Sequence, residues 1–291
     1  MLGVCAPAGP VDPESLERGV GELRSLGFEV RLSPGVLERD GFVAGSAETR
    51  LRELHDLLVS ESVNGVVCAR GGSGASQLLK GLDPALVEAH HKVFVGYSDI
   101  TWLHLFLNRL GLVTFYGPMT AREIGLGSYD RESFLRSVTG SDPPAHGGLE
   151  TLRRGIAEGR ILGGCLSLIS AAVGTPWTLP VEEDTILFLE DVDEAPYRVE
   201  RMLFQLRESG RLANVRGIVF GEMPGCAPDP SAGYSLQEVL LRPLEGLDVP
   251  VALGLPAGHA LSPAVTLPLG TRARLLCEDQ SELRLLEPAV A

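Results

Sequence analysis

Ser98 stands where a serine can act as a nucleophile. Residues 93–95 (Val-Phe-Val) form a short apolar run of the kind that makes a buried strand. Gly96 and Tyr97 bend the chain, and from position 99 to 110 the apolar residues take up helical spacing. A serine on such a corner holds its hydroxyl clear of the sheet. It also lies beside the unpaired N–H groups of the first helical turn, which can stabilise an oxyanion. Serine is equally a favoured N-cap. Ile100 occupies the place of the second glycine in the G-x-S-x-G form. This stretch alone therefore admits both a capping and a nucleophilic role.

A serine nucleophile needs a base, and the base needs an orienting acid. Of the six histidines, His55 and His104 fall within predicted helices, and His90-His91 read as a solvated pair ahead of a strand. His146 lies in a polar stretch. Only His259 sits in a loop beside a strand and a glycine, in Gly254-Leu255-Pro256-Ala257-Gly258-His259. Glu190 and Asp191 close the apolar run 186–189 and offer carboxylates at a strand end, although an ordinary acidic turn would look the same. The chain order serine, acid, histidine is that of the α/β-hydrolases. The loop Arg70-Gly71-Gly72-Ser73-Gly74 follows another apolar run, 65–69. It lacks a following Gly-Lys-Ser/Thr, and Gln77 breaks the G-x-G-x-x-G form. Two readings remain for it: a tight packing turn, or a set of N–H groups approaching a reacting oxygen next to Ser98. No cluster has metal-ligand spacing, so neither metal nor cofactor is expected.

The elements that must position these residues follow from pattern and composition. A length of 291 residues favours two domains, and 44% apolar residues suffice for a large core. The net charge of -13 argues against a nucleic-acid partner. No apolar run approaches the ~20 residues of a membrane span. The sequence opens on strand-like Leu2-Gly3-Val4-Cys5 and not on a leader peptide. Cys5, Cys68, Cys165, Cys226 and Cys277 are scattered without a C-x-x-C and read as small buried hydrophobes, so a cytoplasmic protein is expected. Strands at 2–6, 28–32, 65–69, 93–95 and 112–116 alternate with helices, the first two capped by Asp12 and Ser46. This alternation predicts an α/β fold with an N-terminal doubly wound parallel sheet of the Rossmann or flavodoxin-like kind, ligands binding at its carboxyl ends. The expected division is a nucleophile domain over 1–140, a linker over 141–159, and a smaller, mixed, β-rich domain over 160–291 that supplies acid and histidine. Ser141-Asp142-Pro143-Pro144 and Gly147-Gly148 mark the linker.

Taken together, Arg70-Gly71-Gly72-x-Gly74, Gly96-x-Ser98-Asp99-x-Thr101, Gly117-Pro118-Met119, Gly174-Thr175-Pro176-Trp177, Leu189-Glu190-Asp191, Arg198-Val199-Glu200-Arg201-Met202-Leu203, Gly258-His259 and Thr266-Leu267-Pro268-Leu269-Gly270 closely resemble the LD-carboxypeptidase family. That family includes murein tetrapeptide carboxypeptidases and microcin-immunity peptidases. The resemblance covers nearly the whole chain. It implies a serine peptidase with Ser98 as nucleophile, His259 as general base and Glu190, in preference to Asp191 or Glu194, as its acid. It further implies a backbone oxyanion hole, pointing to the N–H groups of Asp99 and Gly72, and a homodimer. A carboxypeptidase must also recognise a free carboxylate. An arginine or a backbone nest would serve, and Arg70 with Gly71 is the substrate-binding candidate.

The substrate class so implied is a muropeptide, cut between the L-centre of its diamino acid and a terminal D-Ala, in cytoplasmic peptidoglycan recycling. The alternative within the family is a microcin-immunity-type hydrolase of peptidyl- or aminoacyl-nucleotide amides. A catalytically silent peptide-binding protein is the alternative from another class, and retention of all three triad positions speaks against it. Two positions depart from the family pattern: Ser73, where many relatives carry an aromatic residue, and Cys165, where many carry Asn after Gly163-Gly164. Both bear on substrate preference more than on mechanism.

Overall fold

The computed structural model describes residues 1–140 and 144–290. Strands β1 (Leu2–Cys5), β2 (Val30–Leu32), β3 (Gly65–Cys68), β4 (Val93–Gly96) and β5 (Thr114–Tyr116) alternate with helices α1 (Pro13–Ser25), α2 (Ala47–Val59), α3 (Pro84–Ala89) and α4 (Thr101–Arg109). Asp12 and Ser46 cap α1 and α2 through their side chains, as their positions ahead of the apolar periodicity predict. Helix α5 (Arg131–Thr139) completes this part of the chain.

The five strands pair in parallel in the order β2-β1-β3-β4-β5. Strand order reverses between β1 and β3, which opens a crevice at their carboxyl ends where ligands bind in such sheets. The loops after β1 and β3 meet there, Gly9 N–H donating to Gly71 O at 3.0 Å.

The rest of the chain comprises β6 (Ala145–Arg153), β7 (Gly155–Cys165), α6 (Leu166–Ala171), β8 (Thr185–Glu190), α7 (Pro196–Glu208), β9 (Val215–Gly221), α8 (Leu236–Leu241), β10 (Val251–Leu255), β11 (Leu267–Leu269), β12 (Arg272–Cys277) and β13 (Ser281–Leu285). Seven of these strands close into a barrel in the order β10-β6-β13-β12-β7-β8-β9. Closure removes the unpaired edges of an open sheet. Strands β7, β8, β9 and β10 run parallel to one another, so their carboxyl ends share one rim.

Two features differ from the sequence expectation. Residues 145–153, inside the stretch expected to link two domains, form β6, which pairs with β10 and β13. Only Leu149 of this strand is buried, so it shows no apolar alternation, and Gly147-Gly148 reads as a loop. The expected turn at Ser141-Asp142-Pro143 lies outside the described residues. The second difference is β11, which leaves the barrel and pairs antiparallel with β5 as the outermost strand of the first sheet.

The core explains how the barrel faces the corner that carries Ser98. In β8, Leu187 and Leu189 pack with α6 and α7, while Ile186 and Phe188 join a cluster that continues through Leu103 of α4 to Phe94 of β4. Period-two alternation therefore places Glu190 on the Phe188 side, toward the first sheet. The five cysteines are all buried and none forms a disulfide.

Candidate active site

Ser98 adopts φ 62, a left-handed conformation that costs a non-glycine residue roughly 1–3 kcal/mol and that persists only where surrounding structure enforces it. It opens a 3-10 turn (Ser98–Ile100) that leads into α4, and neither turn nor helix has a side-chain cap. The capping role is thus absent, and Ser98 occupies a strained strand-to-helix corner. Gly71 lies directly against it. A Cβ on Gly71 would fall 2.9 Å from Ser98 Cβ and 3.3 Å from Asp99 N, so only glycine permits this approach. The N–H groups of Asp99 and Gly72 donate to no partner among the described residues.

The corner and the Gly-rich loop are locked together by buried charge. Asp99 Oδ2 accepts from Ala75 N–H at 2.8 Å. Arg50, almost fully buried, donates to Pro7 O at 2.7 Å, Gly74 O at 2.9 Å and Gly45 O at 3.1 Å, and also bonds Gln77. Burial raises the Asp99 carboxyl above the usual range, against the opposing pull of the Ala75 N–H and the Arg50 charge.

Glu190 ends β8 fully buried, and His259 follows β10 on the same rim. His259 Nδ1 lies 2.9 Å from Glu190 Oε2, which also accepts the His259 backbone N–H at 3.1 Å. A carboxylate only accepts, so Nδ1 carries the proton and Nε2 keeps its lone pair. Burial lowers the imidazole pKa, but the Glu190 hydrogen bond and charge, with Asp191 and Glu123 beyond, outweigh it and hold His259 above its ordinary value. Gly258 makes the contact possible. A Cβ there would lie 2.7 Å from Glu190 Cδ and 2.8 Å from Tyr116 Cε1. Asp191 instead accepts from Ser167 N–H at 2.7 Å and Val192 N–H at 3.0 Å, and Glu194 pairs with Arg198 at 3.6 Å. Of the three candidate acids, only Glu190 touches His259.

Ser98 and His259 line one cleft with Arg70, Gly71, Gly72, Tyr97, Met119 and Arg122. Among the described residues Ser98 Oγ makes no hydrogen bond, to His259 or to any other group. The Tyr97 ring meets the imidazole edge-on, centroids 4.9 Å apart, and its hydroxyl donates to Glu123 at 2.6 Å. Such an arrangement brings a hydroxyl, an imidazole held by a carboxylate and the free Gly72 N–H around one space, with the Asp99 N–H beside Gly71, a set that acyl transfer can use. Arg70 is tied to Pro10 O at 3.0 Å and faces the same cleft. No group of three or more potential metal-ligating side chains occurs among the described residues.

The family model of the LD-carboxypeptidase N-terminal domain matches residues 2–117, and that of the LD-carboxypeptidase C-terminal domain matches residues 158–275. The chain is 36% identical over 284 residues to the "Probable murein peptide carboxypeptidase" of Bacillus subtilis (strain 168), covering 94% of this chain and 88% of that protein. The chain belongs to the LD-carboxypeptidase family. The murein tetrapeptide carboxypeptidase of Pseudomonas aeruginosa is 33% identical to it over 273 residues, 89% of this chain and 87% of that one. The crystal structure of the muramoyltetrapeptide carboxypeptidase from Oxalobacter formigenes superimposes with a TM-score of 0.89 at 33% identity, covering 98% of each chain. In this LD-carboxypeptidase, Ser98 falls in the N-terminal family domain and Glu190 and His259 in the C-terminal one.

Several residues of the site escape the sequence reading. Tyr116, at the end of β5, donates its hydroxyl proton to Glu190 Oε1 and accepts the Ser98 N–H at 3.3 Å. A tyrosine closing a buried strand, where its O–H must find a partner, is the signal for it. Thr101 accepts the Cys165 N–H at 3.1 Å, joining α4 to β7. Arg50 stands four residues before Leu54 on the buried face of α2, a spacing that marks it as buried. Arg122 carries no sequence signal beyond its place after Gly117-Pro118-Met119. Of the two departures, Ser73 is exposed, and Cys165 pairs in register with Glu190 from the neighbouring strand; neither lines the cleft.

Proposed function

We propose that this LD-carboxypeptidase removes the terminal D-amino acid, D-Ala, from murein tetrapeptides by a serine mechanism. The observation that carries the reading is the Glu190–His259 pair on the barrel rim, opening into the same cleft as the strained Ser98. His259 Nε2 takes the Ser98 proton as the hydroxyl attacks the carbonyl before the terminal residue. The N–H groups of Asp99 and Gly72 hold the tetrahedral oxyanion, each such donor being worth about 3 kcal/mol. His259 then protonates the leaving amine, and water releases the acyl group through the reverse sequence. Glu190 keeps the imidazole in the required tautomer and stabilises its charged form.

The N-terminal sheet is read as doubly wound, supported by α1 and α5 packing with one side-chain set of β1, β3, β4 and β5, and α2 and α4 with the other. The division into a nucleophile domain and a domain supplying acid and histidine is retained, with β6 assigned to the second. A cytoplasmic homodimer acting in peptidoglycan recycling completes the proposal. No helix among the described residues is long and apolar enough to cross a membrane.

The purified protein is offered a muramoyl tetrapeptide ending in D-Ala and, separately, an aminoacyl-sulfamoyl adenylate, and the product masses are read. Release of D-Ala from the first is expected. Cleavage of the adenylate alone would replace this reading with that of a nucleotide-amide hydrolase, and cleavage of neither would leave a binding protein.

A further inference from the structure

Two guanidinium groups face the cleft with little to neutralise them. Arg122 is half exposed, its side chain 50% accessible, and its Nε comes no nearer to Glu123 Oε1 than 3.9 Å. Glu123 is already engaged by the Tyr97 hydroxyl at 2.6 Å and the Met119 N–H at 3.3 Å. Arg70 spends one nitrogen on Pro10 O, while its Nε is buried without a partner. Burial first, then the like charges of Arg122 and Arg39, lowers the Arg70 pKa, so the fold gathers cations at this cleft in a chain of net charge -13. The other carboxylates around the site are committed. Glu190 serves His259 and Tyr116, Asp99 serves Ala75, and Asp191 serves Ser167. The cleft therefore presents two guanidinium groups whose lining carboxylate, Glu123, reaches Arg122 only at 3.9 Å and is itself engaged by Tyr97 and Met119.

Direction within the cleft separates the two arginines. This step rests on the serine carboxypeptidase reading above. With Ser98 attacking and His259 protonating the leaving nitrogen, the departing residue extends past the imidazole. Arg70 lines only the part of the cleft beside Ser98 and the Gly-rich loop. Arg122 lines that part and also the adjoining cleft beyond His259, walled by Tyr97, Glu123, Leu126, Val192, Pro224 and Leu261.

We propose that Arg122 pairs with the terminal carboxylate of the peptide substrate, with Arg70 reinforcing the positive field from the Gly-rich loop. The planar guanidinium matches a carboxylate in a two-pronged contact. A cation fixed one residue beyond the scissile nitrogen would restrict the enzyme to the last bond of a chain. It makes Arg122 the residue that turns an acyl-transfer site into an exopeptidase.

The test compares two tetrapeptides identical except at the end, one closing in D-alanine and the other in D-alaninamide. kcat/KM is measured for the wild-type protein, Arg122→Ala, Arg122→Gln and Arg122→Lys, with thermal melts to verify folding. A charged hydrogen-bonded contact predicts a wild-type preference for the free acid of about 10- to 100-fold. That preference should collapse toward unity in Arg122→Ala and Arg122→Gln, chiefly through KM, and persist in part in Arg122→Lys. An undiminished acid-over-amide ratio in the uncharged variants overturns the inference. Equal slowing on both substrates also overturns it, since a merely structural role acts in that way. Failure of the wild-type protein to cleave either peptide overturns the carboxypeptidase reading itself, and this inference falls with it.

Discussion

The Tyr116 hydroxyl donates to the fully buried Glu190 while accepting the backbone N–H of Ser98, so one phenol oxygen spans from the barrel to the Ser98 corner. Burial and the Glu190 charge push the Tyr116 pKa up, which keeps the proton on the phenol and the donor role fixed. That acceptance occupies the Ser98 N–H, while the N–H groups of Asp99 and Gly72 have no partner among the described residues.

Removing this hydroxyl should loosen acid and nucleophile together. Hydrogen bonds to charged groups are worth about 1.5–3 kcal/mol, so Tyr116→Phe should lower kcat by roughly 10- to 100-fold. KM should change little, because Tyr116 is fully buried behind the cleft. Glu190 loses a donor in this variant and its charge acts more fully on the imidazole, so the His259 limb of the pH profile should move upward. Unaltered kcat and an unmoved limb would remove Tyr116 from the machinery.

The pH dependence follows from the direction of the His259 shift. Burial alone would depress the imidazole, but Glu190 with Asp191 and Glu123 raises it above its usual ~6.5. A general base must be neutral, so kcat/KM should rise with pH through a limb above that value. Glu190→Gln removes the negative charge that favours the imidazolium. Its limb should therefore shift to lower pH while the plateau falls by orders of magnitude. A limb that stays in place or moves to higher pH would show that Glu190 does not set the base.

Gly258 supplies a steric test of the same pair. Its φ of +79 already disfavours a side chain, and a Cβ would press on both Glu190 and Tyr116. Gly258→Ala should cost about 1–3 kcal/mol of stability from backbone strain. Displacing the carboxylate by ~1 Å should slow turnover by about 100-fold in addition. The melting temperature and kcat, measured together, separate the two effects. Loss of stability with full turnover would mean that the acid tolerates displacement.

How much of this was legible in sequence depended on range. Ser98 stands out as a candidate because strand, bend and helix follow one another within a few residues, and His259 because it is the histidine in a loop next to a glycine, but their roles are implied only by the family resemblance. The parallel order of the first sheet follows from alternating local patterns. The barrel does not, since β6 buries only Leu149 and its pairing partners begin about a hundred residues later in the chain. Nor does local periodicity indicate that residues 267–269 return to the edge of the first sheet beside β5. Tyr116 and Glu190 are 74 positions apart, and their contact exists only because barrel and sheet pack through Phe188 and α4. Arg50 was readable from its spacing on α2, yet the same segment satisfies an apolar stripe without it.

The central claim is that Ser98 attacks the bond before a terminal D-residue. It is tested most directly by kcat/KM for a muramoyl tetrapeptide ending in D-Ala and for its L-Ala epimer, each with the wild-type protein and with Ser98→Ala. Inverting the terminal centre exchanges the positions of methyl and carboxylate, and a misplacement of ~1 Å already costs about 100-fold. Fast release of D-Ala by the wild-type protein is expected, with release from the epimer slower by about 100-fold or more and negligible release of either by Ser98→Ala. Equal rates for the two epimers, or turnover that survives in Ser98→Ala, would contradict the claim.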